Sequence, residues 1–151
     1  MLARDIMTRE VITAHPEEKI EEVTRLMLEN KISGIPVVNQ QGHVLGIITE
    51  KDLMIKASEL KVPFYVTLFD SIIFLENPLR FNNDLKKYTA SRVKDVMNTK
   101  IQAVEEDTPV SKIVELMQSR GINRVPVLRN GKLVGIITRN DILKSLVKTN
   151  G

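Results

Sequence analysis

Two threonine–acid pairs stand at the same spacing in this chain. Gly46-Ile47-Ile48-Thr49-Glu50-Lys51-Asp52 recurs as Gly135-Ile136-Ile137-Thr138-Arg139-Asn140-Asp141. Each motif marks a strand-to-helix junction, because a β-type apolar run ends at the Thr and a helix begins just after it. Backbone N–H groups at a helix start lack intrahelical partners and carry partial positive charge, which favours phosphate. A Thr hydroxyl placed there can donate to a phosphate or ribose oxygen, and an Asp one turn on can accept from two ribose hydroxyls. Lys51 and Arg139 add positive charge beside the pairs. Thr-x-x-Asp is also close to a capping box, in which the Thr caps the helix and the acid caps back. The two roles are compatible, and the residues alone leave both open.

The elements that position these pairs come from an internal duplication. Asp5-Ile6-Met7 falls on Asp95-Val96-Met97 at an offset of 90 residues. At that offset Leu26-Met27 falls on Leu116-Met117, Ile32 on Ile122, and Pro36-Val37 on Pro126-Val127. One residue is then lost before the turn glycine, and Asp52 falls on Asp141 at an offset of 89. Each copy opens with a short helix-like start, at Arg4 to Met7 and Lys94 to Met97. A β-rich segment follows, at Val11 to Thr13 and Ile101 to Val104. The helix after it is marked by Ile20, Val23 and Met27 in the first copy and by Val110, Ile113, Val114 and Met117 in the second. Thr108-Pro109 predicts an N-cap followed by Pro at the first helical position. Gly121 is placed to end the second helix, and Asn30-Lys31 must do so in the first. Strands at Ile35 to Val38 and Val125 to Leu128 lead through turns carrying Gly42 and Gly131 into strands ending at the two Thr residues. The expected unit is β-α-β-β-α, twice, in an α+β fold.

The copies span residues 2–58 and 92–148, and residues 59–91 belong to neither. This insert is too apolar for a flexible linker: it carries all four phenylalanines and both tyrosines of the chain. Leu79 to Tyr88 reads as a short helix after Pro78, while Phe64 to Leu75 fits helix or hairpin. A segment this apolar must pack on the repeats or on another chain.

Composition narrows the function. The hydrophobic fraction of 42% supports a buried core, and 22 Lys and Arg against 19 Asp and Glu leave a net charge of only +3. No basic run stands out, so a nucleic-acid footprint is not demanded, while a mild excess suits a small anion. The absence of cysteine removes disulfides, thiolate metal sites and cysteine nucleophiles. His15 and His43 have no second ligand at metal spacing. No phosphate-loop, Gly-x-Ser-x-Gly or His-Glu-x-x-His signature is present, and no enzymatic activity or catalytic cofactor is expected. The stretch Val62 to Leu75 is interrupted by Asp70 and is shorter than the ~20 residues a membrane span needs. The N-terminus lacks the order of a signal peptide, so a cytoplasmic protein is the expectation.

The order Asp-x-Met, an apolar helix with Leu-Met, Ile/Val-Pro-Val, then Gly-Ile-Ile-Thr-x-x-Asp closely resembles the CBS domain, the module named after cystathionine beta-synthase. Two in tandem resemble a Bateman module, and the resemblance leaves the insert outside. It implies two repeats packed through their sheets around a pseudo-twofold axis, with clefts between them for AMP, ADP, ATP or S-adenosylmethionine. Carried over by position, it implies Asp52 and Asp141 at the ribose and Thr49 and Thr138 beside the phosphates, with Lys51 and Arg139 adjacent. Thr13-Ala14, Ala103-Val104, Ile35-Pro36 and Val125-Pro126 would flank the adenine. Arg124 stands where the first copy has Gly34, so the clefts should differ, and the one nearer Arg124 should favour more phosphate. The function so implied is regulatory sensing of adenine nucleotide, with the insert as a homodimer interface or a docking face for an effector protein. A structural interaction module with vestigial clefts and a weak nucleic-acid binder are the alternatives.

Overall fold

The computed structural model describes residues 1–58, 65–69, 71–74 and 78–148. It contains a duplicated α+β unit. In the first copy, α1 (Ala3–Ile6) is followed by α2 (Ile20–Asn30), β1 (Gly34–Val38), β2 (Val44–Thr49) and α3 (Glu50–Ala57). The insert supplies β3 (Tyr65–Leu68), β4 (Ser71–Phe74) and α4 (Pro78–Thr89). The second copy opens with a 3₁₀ turn (Val93–Asp95) and continues with β5 (Val104–Glu105), α5 (Val110–Arg120), β6 (Arg124–Arg129), β7 (Lys132–Thr138) and α6 (Arg139–Lys148). Strands β1 and β2 form the antiparallel hairpin of the first copy and β6 and β7 that of the second, with β5 added parallel to β6.

Local chemistry explains most boundaries. Helix α2 buries Ile20, Val23 and Met27, and α5 buries Ile113 and Met117, on the faces that their spacing predicts. Lys31 (φ 52°) and Gly121 (φ 61°) both take the left-handed conformation that ends each helix. Gly42 and Gly131 take positive φ in the hairpin turns. Three local expectations are corrected. Pro109 is the residue before α5 rather than its first residue, because its ψ of 139° is extended. Thr108 does not cap that helix; its hydroxyl accepts from the Glu105 N–H (3.1 Å) and closes the preceding turn. The β-rich leads shrink to β5 and, in the first copy, to one parallel bridge of Ala14 with Val37.

The two copies exchange their leading segments. Ala3 and Met7, from the first copy, sit in the core of the second with Ile113, Met117, Val125, Val127 and Ile137. Val93, from the second copy, sits in the core of the first with Ile20, Val23, Ile35 and Ile48, and Met97 packs on it. Backbone bonds seal each exchange: Thr8 and Ile136 bond reciprocally at 2.9 and 2.9 Å, and Ile47 and Asn98 at 2.9 and 2.8 Å. The glycines of the two Gly-Ile-Ile-Thr motifs permit these crossings. A Cβ on Gly135 would lie 2.5 Å from Met7 Sδ, and one on Gly46 would lie 2.8 Å from the Asn98 carbonyl oxygen and 3.0 Å from Met97 Sδ. The Asp-x-Met and Gly-Ile-Ile-Thr motifs are thus two halves of one contact, made across the repeats. Asp5 also caps its own turn, accepting the Leu2 N–H at 2.8 Å.

The insert forms a hairpin and a helix. Hairpin β3–β4 answers the open choice over Phe64 to Leu75, although Val62, Phe64 and Leu75 themselves lie outside the described residues. Phe69 turns the hairpin with a φ of 50° and is 94% exposed. Helix α4 matches the helix expected after Pro78. Its Tyr88 packs on the first core and donates its hydroxyl to the Leu53 carbonyl at 2.7 Å. Among the described residues no helix is long and apolar enough to cross a membrane.

Candidate functional site

Thr49 ends β2 and caps α3; Thr138 ends β7 and caps α6. In the first pair the Asp52 N–H donates to Thr49 Oγ1 (3.2 Å), while the Thr49 N–H and hydroxyl both donate to Asp52 Oδ2 (2.9 and 2.9 Å). The second pair repeats the pattern at 3.4, 2.9 and 3.1 Å. The capping box is therefore real at both sites. It has a chemical consequence: each Thr proton is committed to its Asp, so the hydroxyl can accept from a ligand but has no proton for a phosphate. The acids remain usable. Asp52 Oδ1 takes no hydrogen bond among the described residues, and Asp141 Oδ1 takes one, from the Thr8 hydroxyl at 3.2 Å. Each carboxylate thus keeps acceptor capacity for ligand hydroxyls.

The helix starts offer less to an anion than their sequence implies. The Glu50 N–H is bonded to the Ser33 carbonyl (2.9 Å) and the Arg139 N–H to that of Asn123 (3.1 Å). With the Asp amides used by the caps, the Lys51 and Asn140 amides are what remains of each first turn. Charge for an anion must come mainly from side chains.

Two clefts related by the pseudo-twofold axis surround these pairs. The first, about 480 Å³, joins Thr49, Lys51 and Asp52 to residues of the other copy, including Asn98, Lys100, Arg120 and Arg124. The second, about 590 Å³, joins Thr138, Arg139 and Asp141 to Thr8, Lys31, Arg124 and Lys144, and borders Pro36, which is itself fully buried. Four cationic and two anionic side chains line each cleft. Each also has an apolar side: Ile47, Ile55, Ile101 and Ile122 in the first, and Val11, Ile12, Ile32 and Ile136 in the second.

Of the residues singled out by sequence, the clefts bring together Thr49, Lys51, Asp52, Thr138, Arg139, Asp141, Arg124 and Pro36. The others line neither cleft. Ala14, Ile35 and Val125 are buried in the two cores, Pro126 is also fully buried, and Thr13, Ala103 and Val104 lie outside both linings. The leading segments that do form walls are Asn98 to Gln102 and Thr8 to Ile12, each a few residues earlier than expected and each facing the opposite repeat's Thr-x-x-Asp. Ser33 and Asn123, equivalent at the 90-residue offset, were also missed; both line both clefts. Their shared place just before the Ile/Val-Pro-Val strands was the available signal.

Arg124 differs most from expectation. It lines both clefts, and the two carboxylates that act on it, Glu50 and Asp52, belong to the first. It lies over Gly34, its own equivalent in the other copy: a Cβ there would be 2.5, 2.6 and 2.7 Å from Nη1, Cζ and Nε. Equivalent positions that touch lie at the axis, where two large side chains would collide, so a glycine faces an arginine. Arg124 donates from Nη2 to the Ser33 hydroxyl. Burial lowers its pKa from the ordinary arginine value, opposed by the charges of Glu50 and Asp52.

Two β-α-β-β-α repeats that exchange leading segments around a pair of symmetry-related clefts define a tandem-repeat α+β module. The CBS domain profile matches residues 3–59 and 93–148, and the chain belongs to the CBS domain family. An uncharacterised protein of Methanocaldococcus jannaschii, MJ1426, is 33% identical over 155 residues, covering 97% of this chain and 92% of its own. The crystal structure of CBSX2 in complex with AMP superposes with a TM-score of 0.76 at 21% identity, covering 99% of this chain and 98% of that one. The CBS pair of protein MJ0100, in complex with 5′-methylthioadenosine and S-adenosyl-L-methionine, superposes with a TM-score of 0.70 at 23% identity, covering 99% and 98%. These two likenesses are of fold.

Proposed function

We propose that the protein is a non-catalytic regulatory module that binds adenosine-type ligands, AMP, ADP, ATP or S-adenosylmethionine, in the clefts between its repeats. The observation that carries this reading is the grouping of three chemistries in each cleft. A carboxylate with spare acceptor capacity suits ribose hydroxyls. A row of isoleucine and valine side chains suits a flat base. Four cationic side chains suit phosphate, or the carboxylate of an adenosyl amino acid. The AMP and S-adenosylmethionine complexes of like-folded pairs support the same ligand class. Because each cleft takes walls from both repeats, an occupant bridges them and biases how they pack, which is the physical basis for a sensor. The signal leaves through a protein surface. The insert hairpin, with exposed Phe69 at its tip and exposed Ile73 beside it, is our candidate for a homodimer or effector contact.

A thermal-shift panel of adenosine, AMP, ADP, ATP and S-adenosylmethionine tests the reading. A ligand that binds only the folded state raises its stability by RT ln(1 + [L]/Kd), about 2.7 kcal/mol at a hundredfold excess over Kd. Stabilisation by at least one compound at millimolar concentration or below is expected. A flat response to all of them, repeated by calorimetry, would leave a structural interaction module as the better reading.

A further inference from the structure

One arginine, Arg124, is shared by the two clefts at the axis. Arg124 borders both, as do Ser33 and Asn123 on either side of it. Its guanidinium is partly buried, yet among the described residues it makes one hydrogen bond, to a neutral hydroxyl, and no ion pair within 4.0 Å. A guanidinium carries five N–H donors in a planar fork that matches phosphate oxygens in pairs. Glu50 and Asp52 offset only part of the cost of holding such a group away from water, so an arriving phosphate gains both the bonds and relief of the remainder. Gly34 leaves the space in which the fork lies, and the other copy of the motif offers no matching cation, since the equivalent position is that glycine.

We infer that Arg124 reads phosphate for both clefts and, because its fork engages one phosphate at a time, couples them negatively for phosphorylated ligands. The inference rests on the nucleotide reading above. It adds that the first nucleotide captures the arginine and the second binds without it. Adenosine, which carries no phosphate, should not feel the coupling. The chain would then respond over a wider range of nucleotide concentration than two independent equal sites would.

Calorimetric titrations with AMP and with adenosine test this. In an otherwise wild-type chain, Arg124→Gln should weaken the first AMP step by roughly tenfold or more, the loss of charge-assisted hydrogen bonds, and leave the second step unchanged. Asp52→Asn makes the second cleft fill first, and Asp141→Asn makes the first cleft do so. Adding Arg124→Gln should weaken the first AMP step in both of these backgrounds and leave adenosine unmoved. A loss in one background alone would assign Arg124 to a single cleft and overturn the inference. Weakening of both AMP steps in the otherwise wild-type chain would show that the clefts do not compete, and would overturn it too. Equal binding of AMP and adenosine by the wild type would also overturn it, while leaving the adenosyl-ligand reading intact. No binding of either compound by the wild type would remove both. Circular-dichroism melts accompany each protein. If Arg124→Gln does not fold, Arg124→Lys, which keeps the charge and loses the fork, should give a smaller loss confined to the same steps.

Discussion

Replacing Gly135 by alanine probes the crossing of the two repeats at its tightest point. The added Cβ would lie 2.5 Å from Met7 Sδ, 2.8 Å from its Cγ and 3.1 Å from its Cβ. Non-bonded carbon atoms sit at about 3.5–4.0 Å, so the methionine has to leave its place. Met7 is 8% exposed and held among Ala3, Ile113, Val125 and Ile137, which leaves it little room. Overpacking of this kind costs about 1–3 kcal/mol. At about 2–4 °C per kcal/mol for a chain of this size, Tm should fall by roughly 2–12 °C. Met7→Ala alone opens a cavity and should cost about 2–5 kcal/mol. In the double variant the new methyl enters the space that Met7 vacates. Its cost should fall below the sum of the two by about 1–3 kcal/mol, as for residues in direct contact. Urea denaturation of the four proteins, followed by circular dichroism, gives the cycle. Additivity within about 0.5 kcal/mol would refute the contact. The equivalent glycine should behave differently. A Cβ on Gly46 meets the Asn98 carbonyl at 2.8 Å, and that carbonyl is held by the Ile47 N–H at 2.9 Å. Met97→Ala should therefore fail to rescue Gly46→Ala, because a backbone oxygen cannot rotate aside as a thioether can.

Three further outcomes are expected. Asp52→Asn and Asp141→Asn keep an acceptor for the cap, so melts should move little, while each should weaken nucleotide binding at its own cleft by about 1.5–3 kcal/mol, roughly tenfold to a hundredfold in Kd. Full affinity in a folded double variant would remove both acids from the site. Changing Phe69 and Ile73 together to Ser should yield a smaller species in gel filtration, and an unchanged oligomer would show that the hairpin is peripheral to assembly. Glu106 is bonded to Arg129 through both carboxylate oxygens, and this pairing lowers its pKa below the ordinary 4.5, with Arg9 and Arg4 adding to the effect. A group whose folded pKa is depressed contributes above its unfolded pKa and loses that contribution as pH falls through the folded value. An NMR titration should place the Glu106 midpoint below the ordinary value, and Arg129→Gln should return it towards that value; a midpoint unmoved by the substitution would break the assignment.

What could be read from sequence was local. The 3.6-residue spacing of Ile20, Val23 and Met27 names the buried face of α2, and the same spacing serves α5. Left-handed turns at Gly42, Gly121 and Gly131 follow from the residue type, and the Thr-x-x-Asp cap follows from its spacing, because each depends on atoms within a few residues. The doubling at 90 residues was equally plain, and with it the pair of candidate sites. The flanking residues Ala14, Ile35 and Val125 came from the family resemblance alone, and the packing places their side chains in the two cores, a choice of face that short strands do not declare in sequence.

Tertiary structure decided the rest. Met7 rests on Gly135 and Met97 on Gly46, so the leading segment of each repeat completes the other's core and walls the other's cleft. Nothing in either motif states that its partner lies more than a hundred residues away in one case and about fifty in the other. Sequence showed that Arg124 replaces Gly34. Only the packing showed that these two positions touch at the axis, where symmetry would set two equal side chains against each other and sterics admits one. That single steric fact puts one guanidinium between two clefts. Spacing along a chain sets the contacts of neighbours a few residues apart, whereas contacts between distant segments are set by which surfaces exclude water together.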